Sequence, residues 1–107
     1  MGKSVRYQVV EEDGYQRVDE IHKVVVHQFD MSDVEDPDIY AAGPMFDWER
    51  SEAGQFVFKH AVDRPEWHRH MDPMFMGYRY IITAELEKKK LSEFYLRWNK
   101  NGNKSSQ

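Results

Sequence analysis

Cysteine is absent from this chain, which excludes disulfides, thiolate metal centres and cysteine nucleophiles together. The fold therefore belongs to a reducing compartment or is indifferent to redox. No stretch approaches the ~18 consecutive apolar residues of a membrane helix, and Met1-Gly2-Lys3-Ser4-Val5-Arg6 carries no apolar signal region. Membrane spanning and secretion are not expected. Gly2 also lacks the Ser or Thr four residues later that myristoylation favours, because Arg6 stands there. A basic excess is missing too: 15 Lys and Arg against 19 Asp and Glu give a net charge of -4, so nothing draws the whole molecule to phosphate backbones or anionic lipid. Ser32, Ser51 and Ser92 lack the glycine frame of a nucleophile elbow, and Gly2-Lys3-Ser4 has no upstream strand to make it a phosphate loop. Asn103-Lys104-Ser105 fits a glycosylation sequon, which has no force without secretion.

What remains is rich in apolar and aromatic residues, 40% and 14% of 107 residues. That suits one domain burying roughly 65% of its unfolded surface. We place it at residues 1–99, with a disordered tail at 100–107 that has no apolar residue. Val5, Tyr7 and Val9 alternate with polar residues up to Asp13-Gly14, the chemistry of a tight hairpin turn. The return strand includes Ile21 to Phe29, where the run Val24-Val25-Val26 predicts a central strand buried on both faces. Asp36-Pro37 opens a short helix. From Pro44, the spacing of Phe46, Ala53, Phe56, Val57, His60 and Ala61 predicts one main helix, with Gly54 marking either a close backbone approach or a bend. Glu66 to Met71 fits an edge strand or an extended loop. Gly77 to Leu86 and Phe94 to Trp98 alternate like two strands of a second hairpin with Lys88-Lys89-Lys90 at its tip. The expected class is α+β: an antiparallel sheet of four to five strands, from two hairpins, packed on one main helix.

Three sets of residues could carry chemistry. His60, His68 and His70, with Asp63 or Asp72 as a fourth ligand, have the donor types of a zinc site; an i, i+2 pair on a strand shares one face. The bland reading is exposed histidines beside a helix end. The acids from Asp30 to Asp38 could hold calcium but lack EF-hand spacing, while Ser32-x-x-Glu35 and Asp36-Pro37 match helix caps. Lys88 to Lys90, with Lys100, Lys104, Tyr95 and Trp98, could meet a nucleic acid, though no nucleic-acid motif accompanies them.

The segments Met31-Ser-Asp-Val-Glu-Asp-Pro-Asp-Ile-Tyr40, Trp48-Glu-Arg-Ser-Glu-Ala-Gly54, Lys59-His-Ala61 and Gly77-Tyr-Arg-Tyr80 leading to Glu93-Phe-Tyr-Leu-Arg-Trp98 resemble small uncharacterised proteins of marine T4-like cyanophages and ocean metagenomes. The resemblance spans residues 23–98. It implies a phage origin and a size class and transfers no catalytic residue. With no secretion signal in the sequence, the expected location is the cytoplasm, including that of an infected host cell. The leading expectation is a non-enzymatic interaction or assembly protein, a homodimer or the ligand of a protein partner, with no cofactor. The alternatives are a metal-binding protein using His60, His68 and His70 and a nucleic-acid-binding accessory protein.

Overall fold

The Asp13-Gly14 turn forms as its chemistry requires: both residues take positive φ, 52° and 81°, the conformation that matches a two-residue turn to strand twist. It joins β1 (Ser4–Glu12) to β2 (Tyr15–Ser32). The computed structural model describes residues 4–32, 34–74 and 76–99, so the tail expected at 100–107 lies outside the described residues. After β2 come α1 (Pro37–Arg50), α2 (Glu52–His60), β3 (Glu66–Asp72), β4 (Gly77–Glu87) and α3 (Lys88–Phe94), closing on a π-helical turn, Tyr95–Asn99. The four strands form one antiparallel sheet in the order β1-β2-β4-β3. The class is thus α+β, with three helices rather than one. Among the described residues no helix is long and apolar enough to cross a membrane.

The helical layer covers one face of β2 and β4. Tyr80, Ile82, Ala84 and Leu86 alternate into it and are buried; the last three join Val24, Trp48, Phe56, Val57, Leu91 and Phe94 in one cluster. Each helix supplies a stripe at helical spacing: Ala41 and Trp48 on α1, Ala53, Phe56 and Val57 on α2, Leu91 and Phe94 on α3.

Four expectations need correction. Phe94 to Trp98 is not a strand: Leu91, Phe94, Tyr95 and Trp98 fall at i, i+3, i+4, i+7, and this helical stripe wins because it turns them onto the core. Leu96, which strand alternation would bury, is 71% exposed. The main helix is two helices. Ser51 separates them, donating from Oγ to the Trp48 carbonyl at 2.5 Å and accepting from the Gly54 amide at 3.1 Å, so it ends α1 and caps α2. Pro44 lies inside α1 instead of opening a helix; the bond it forgoes would fall on the carbonyl of exposed Tyr40. Finally, the valine run is not buried on both faces. Val26 is an extra residue between the pairs Val25 with Thr83 and His27 with Ile82, a bulge that leaves Val25 48% exposed. Glu66–Asp72 is an edge strand, one of the two readings expected of it.

Strand lengths give the molecule its outline. β1 pairs with β2 only over Tyr15 to Lys23, and β4 pairs with β2 only over Ile21 to Ser32. The first hairpin therefore projects past the helical layer. The molecule measures 54 × 30 × 28 Å with a radius of gyration of 16.0 Å, against about 13 Å for a compact chain of this length.

Candidate interaction surfaces

His60 lies on a different surface from His68 and His70. His60 ends α2 with its ring 4.6 Å from that of Phe56; desolvation holds its pKa below the usual imidazole value, and Lys90, Lys59 and Arg97 push the same way. His68 and His70 share a face, as the i, i+2 spacing requires, but it is the outer face of the sheet. They sit opposite Ile81 and Arg79, and the nearest polar groups to His68 Nε2 are Thr83 Oγ1 at 3.4 Å and Glu66 at 3.9 Å. Asp63 acts electrostatically on Arg6; the side chain of Asp72 is outside the described set. Among the described residues no group of three or more His, Asp and Glu is arranged to hold a metal ion.

The acidic run is taken up in pairs. Asp30 accepts from Arg79 at 2.9 Å. Asp38, in the first turn of α1, accepts from the Tyr80 hydroxyl at 2.6 Å and from Arg69 at 3.0 Å, tying the helix start to the sheet. Asp36 occupies the cap position with φ 54° and makes no side-chain capping bond. Asp33 lies outside the described residues, as do Lys100 and Lys104. Lys88 to Lys90 open α3 and are not a hairpin tip; Lys90 pairs with Glu93 at 3.7 Å, which also holds Arg97 at 3.2 Å. Trp98 packs 5.3 Å from Phe56 and 5.5 Å from Phe94, and Tyr95 packs on Phe94. Both rings are thus partly engaged in closing the core.

Two features stand out that local patterns did not reveal. The first is the helix-side face of the projecting hairpin. Val5, Tyr7 and Val9 lie opposite His22, Glu20 and Val18, and His22 lies opposite buried Leu86, so this face continues the core face beyond the helices. Tyr7 is 66% exposed and Val9 and Val18 are each 63% exposed. At its root, His22 Nε2 is 2.7 Å from Glu20, while His22 Nδ1 is buried with no partner among the described residues. The second is the edge of β2 beyond the described part of β1. From Val24 to Ser32, no described backbone group pairs with β2 on the side away from β4. Beside it the bulge brings His27 onto the helix side, where its ring stacks on Trp48 at 5.4 Å and 12°. A cavity of about 280 Å³ opens there, bounded by Val25, Val26, His27, Trp48 and Trp98. Burial holds the His27 pKa below its usual value.

No protein-family model matches the chain, and no curated protein and no solved structure is similar to it. The surfaces therefore carry the functional reading alone. One signal in the sequence could have pointed to the hairpin: Val5, Tyr7, Val9 and Val18 form an apolar face, yet the helical segments follow far along the chain and are short. The stagger behind that edge follows from strand lengths and register, which no local motif encodes.

Proposed function

We propose that this is a non-enzymatic, phage-encoded interaction protein that acts by self-association into a homodimer. The observation that carries the reading is the projecting β1–β2 hairpin, whose apolar helix-side face has no partner within the described chain. From the exposures of Val5, Tyr7, Val9 and Val18, that face amounts to roughly 400 Å², within the range of about 300–600 Å² for the largest apolar patch of a typical monomer, a patch that is often functional. Closed two-fold dimers are the commonest way to cover such a patch. The phage assignment rests on the motif resemblance over residues 23–98.

Light scattering coupled to size-exclusion chromatography at micromolar concentration tests the reading. The wild type should elute with about twice the 12.8 kDa monomer mass. Tyr7→Lys combined with Val9→Lys should shift the population toward monomer while leaving the melting curve of the helical core in place, because both side chains are exposed. A wild-type mass at the monomer value across that range would overturn it.

A further inference from the structure

Independently of the hairpin, we infer that the groove between α1 and the edge strand β3 receives an extended apolar segment of another protein, bounded by acidic residues and added to β3 as a further strand. α1 carries two stripes. Ala41 and Trp48 enter the core, whereas Ala42, Met45, Phe46 and Glu49 fall at i, i+3, i+4 and i+7 and line the groove. Its other wall is Phe58 and, from β3, Trp67. The space between them measures about 680 Å³, a size usual for ligand clefts, and Phe46 and Trp67 are 56% and 47% exposed.

The shape of the occupant follows from the strand beside it. β3 pairs with β4 on one side, and among the described residues no backbone group meets its other side. A helix laid in the groove would leave those amides and carbonyls unpaired, while an extended chain pairs with them. Strand addition of this kind takes its affinity from the main chain and its specificity from alternate side chains. Trp67 lies on the helix side of the sheet, opposite buried Ile82. Every second side chain of an added strand therefore turns toward Phe46, and the others face solvent.

Charge sets the flanks. Arg64 lines the groove and Arg50 sits over the Phe46 ring at 5.3 Å. The arginines that form ion pairs among the described residues are Arg6, Arg17, Arg69, Arg79 and Arg97, so these two cations face the single acid Glu49. On a chain of net charge -4 that makes a local cationic rim, complementary to an acidic segment. The chain itself supplies no filler. Ser4, where residues 1–3 attach, is on the opposite edge strand. Residues 33 and 75 follow Ser32 and Asp72 in sequence or by two links, and both of those pair with Gly77 at the far end of the sheet, roughly 17 Å from Trp67. Residues 100–107 hold no apolar side chain.

Fluorescence anisotropy on the full chain tests the inference, with the end-blocked, labelled peptide Glu-Val-Thr-Phe-Thr-Val-Glu as the probe. Binding should saturate with a Kd below about 1 mM. Phe46→Glu should weaken it about tenfold or more, and Arg64→Glu several-fold; both side chains are exposed, so both variants should keep the wild-type melting curve. Replacing the probe's glutamates by lysines should also weaken binding several-fold, and the reordered peptide Glu-Val-Val-Phe-Thr-Thr-Glu, which lacks the alternation, about tenfold. Hydrogen exchange should slow at the β3 amides that face away from β4 when the probe is bound. Absence of saturable binding, equal binding of the reordered peptide, or binding without that protection overturns strand addition. Light scattering identifies a competing occupant. A dimer that Phe46→Glu turns into monomer, while Tyr7→Lys with Val9→Lys does not, would place a second copy in the groove and overturn the foreign segment. A wild-type monomer that still binds the probe overturns the hairpin reading alone and supports this one.

Discussion

Gly54 lies against the carbonyl of Trp48 so closely that a Cβ built on it would stand 1.9 Å from that oxygen and 2.8 Å from its carbon. The helix break at Ser51 folds α2 back on the last turn of α1, and only a residue without a side chain passes there. An alanine in a helix ordinarily gains about 1 kcal/mol over glycine. Here the sign reverses: Gly54→Ala must push backbone apart, at a cost of about 1–3 kcal/mol as for other overpacked sites. Urea unfolding compared with wild type measures it, and a stabilised variant would show that the two helices can move apart freely.

The contrast between Phe56 and Leu96 tests how the chain ends. Phe56 is buried between α2 and the closing helical segment, 6.3 Å from Phe94 and 5.3 Å from Trp98, whereas Leu96 points to solvent. Phe56→Ala should lose about 3–5 kcal/mol, and Leu96→Ala should stay within about 0.5 kcal/mol. Equal losses would bring back the strand pairing that alternation suggests for Phe94 to Trp98.

That ambiguity shows what the sequence could and could not reveal. The hairpin at Asp13-Gly14 is legible because turn chemistry and alternation are both local, and the α2 stripe because Ala53, Phe56, Val57 and His60 fall at i, i+3, i+4, i+7. Phe94, Leu96 and Trp98 fit a period of two, while Leu91, Phe94, Tyr95 and Trp98 fit a helix. The choice depends on tertiary packing against Phe56, which is not local. Ser51 and Gly54 each signal a break, yet their joint effect depends on the approach of Trp48. As for the candidate sites, the shared face of His68 and His70 follows from their spacing. The separation of His60 from them follows from which side of the sheet the helices occupy, and the projection of the first hairpin from the offset between the β1–β2 and β2–β4 pairings. No motif records either.

Because His60 lies away from His68 and His70, stoichiometric zinc should leave the melting temperature unchanged, since only ligands that bind the native state raise it. His68→Ala and His70→Ala should behave alike with and without metal. A zinc-dependent rise of several degrees that vanishes in both variants would restore the metal reading.

The Tyr80 hydroxyl is the link between β4 and the start of α1. Its ring is fully buried and stacks on Phe29 at 5.3 Å, and desolvation, followed by the bond to Asp38, raises its pKa. Tyr80→Phe keeps the packing and removes the 2.6 Å bond. The expected loss is about 0.5–1.5 kcal/mol, the net value of a typical hydrogen bond; Tyr80→Ala should lose several times more. Hydrogen exchange of α1 amides should rise in Tyr80→Phe. Unchanged protection would mean that Asp38 does not anchor the helix.

Stability should fall in two steps as the solution is acidified. His27 has its pKa lowered by burial, and His60 by burial and then by Lys90 and Lys59, so the folded state resists protons that the unfolded chain accepts near its ordinary value of about 6.5. Between that value and the lower folded-state values the unfolded chain binds more protons, and stability therefore rises with pH through this window and drops as pH falls through it. Glu85 acts lower on the scale: its hydrogen bonds with Arg6, both at 3.0 Å, hold its pKa down. The stability this pair contributes is present above the ordinary carboxylate value and is lost as pH falls through the folded one. Urea midpoints measured from about pH 8 down to about pH 2.5 should decline first below about pH 6.5 and again below about 4.5. His27→Gln should flatten the first decline without touching the second, and Arg6→Gln should do the reverse. A first decline of undiminished size in His27→Gln would assign it to His60 and remove burial beside Trp48 as its cause.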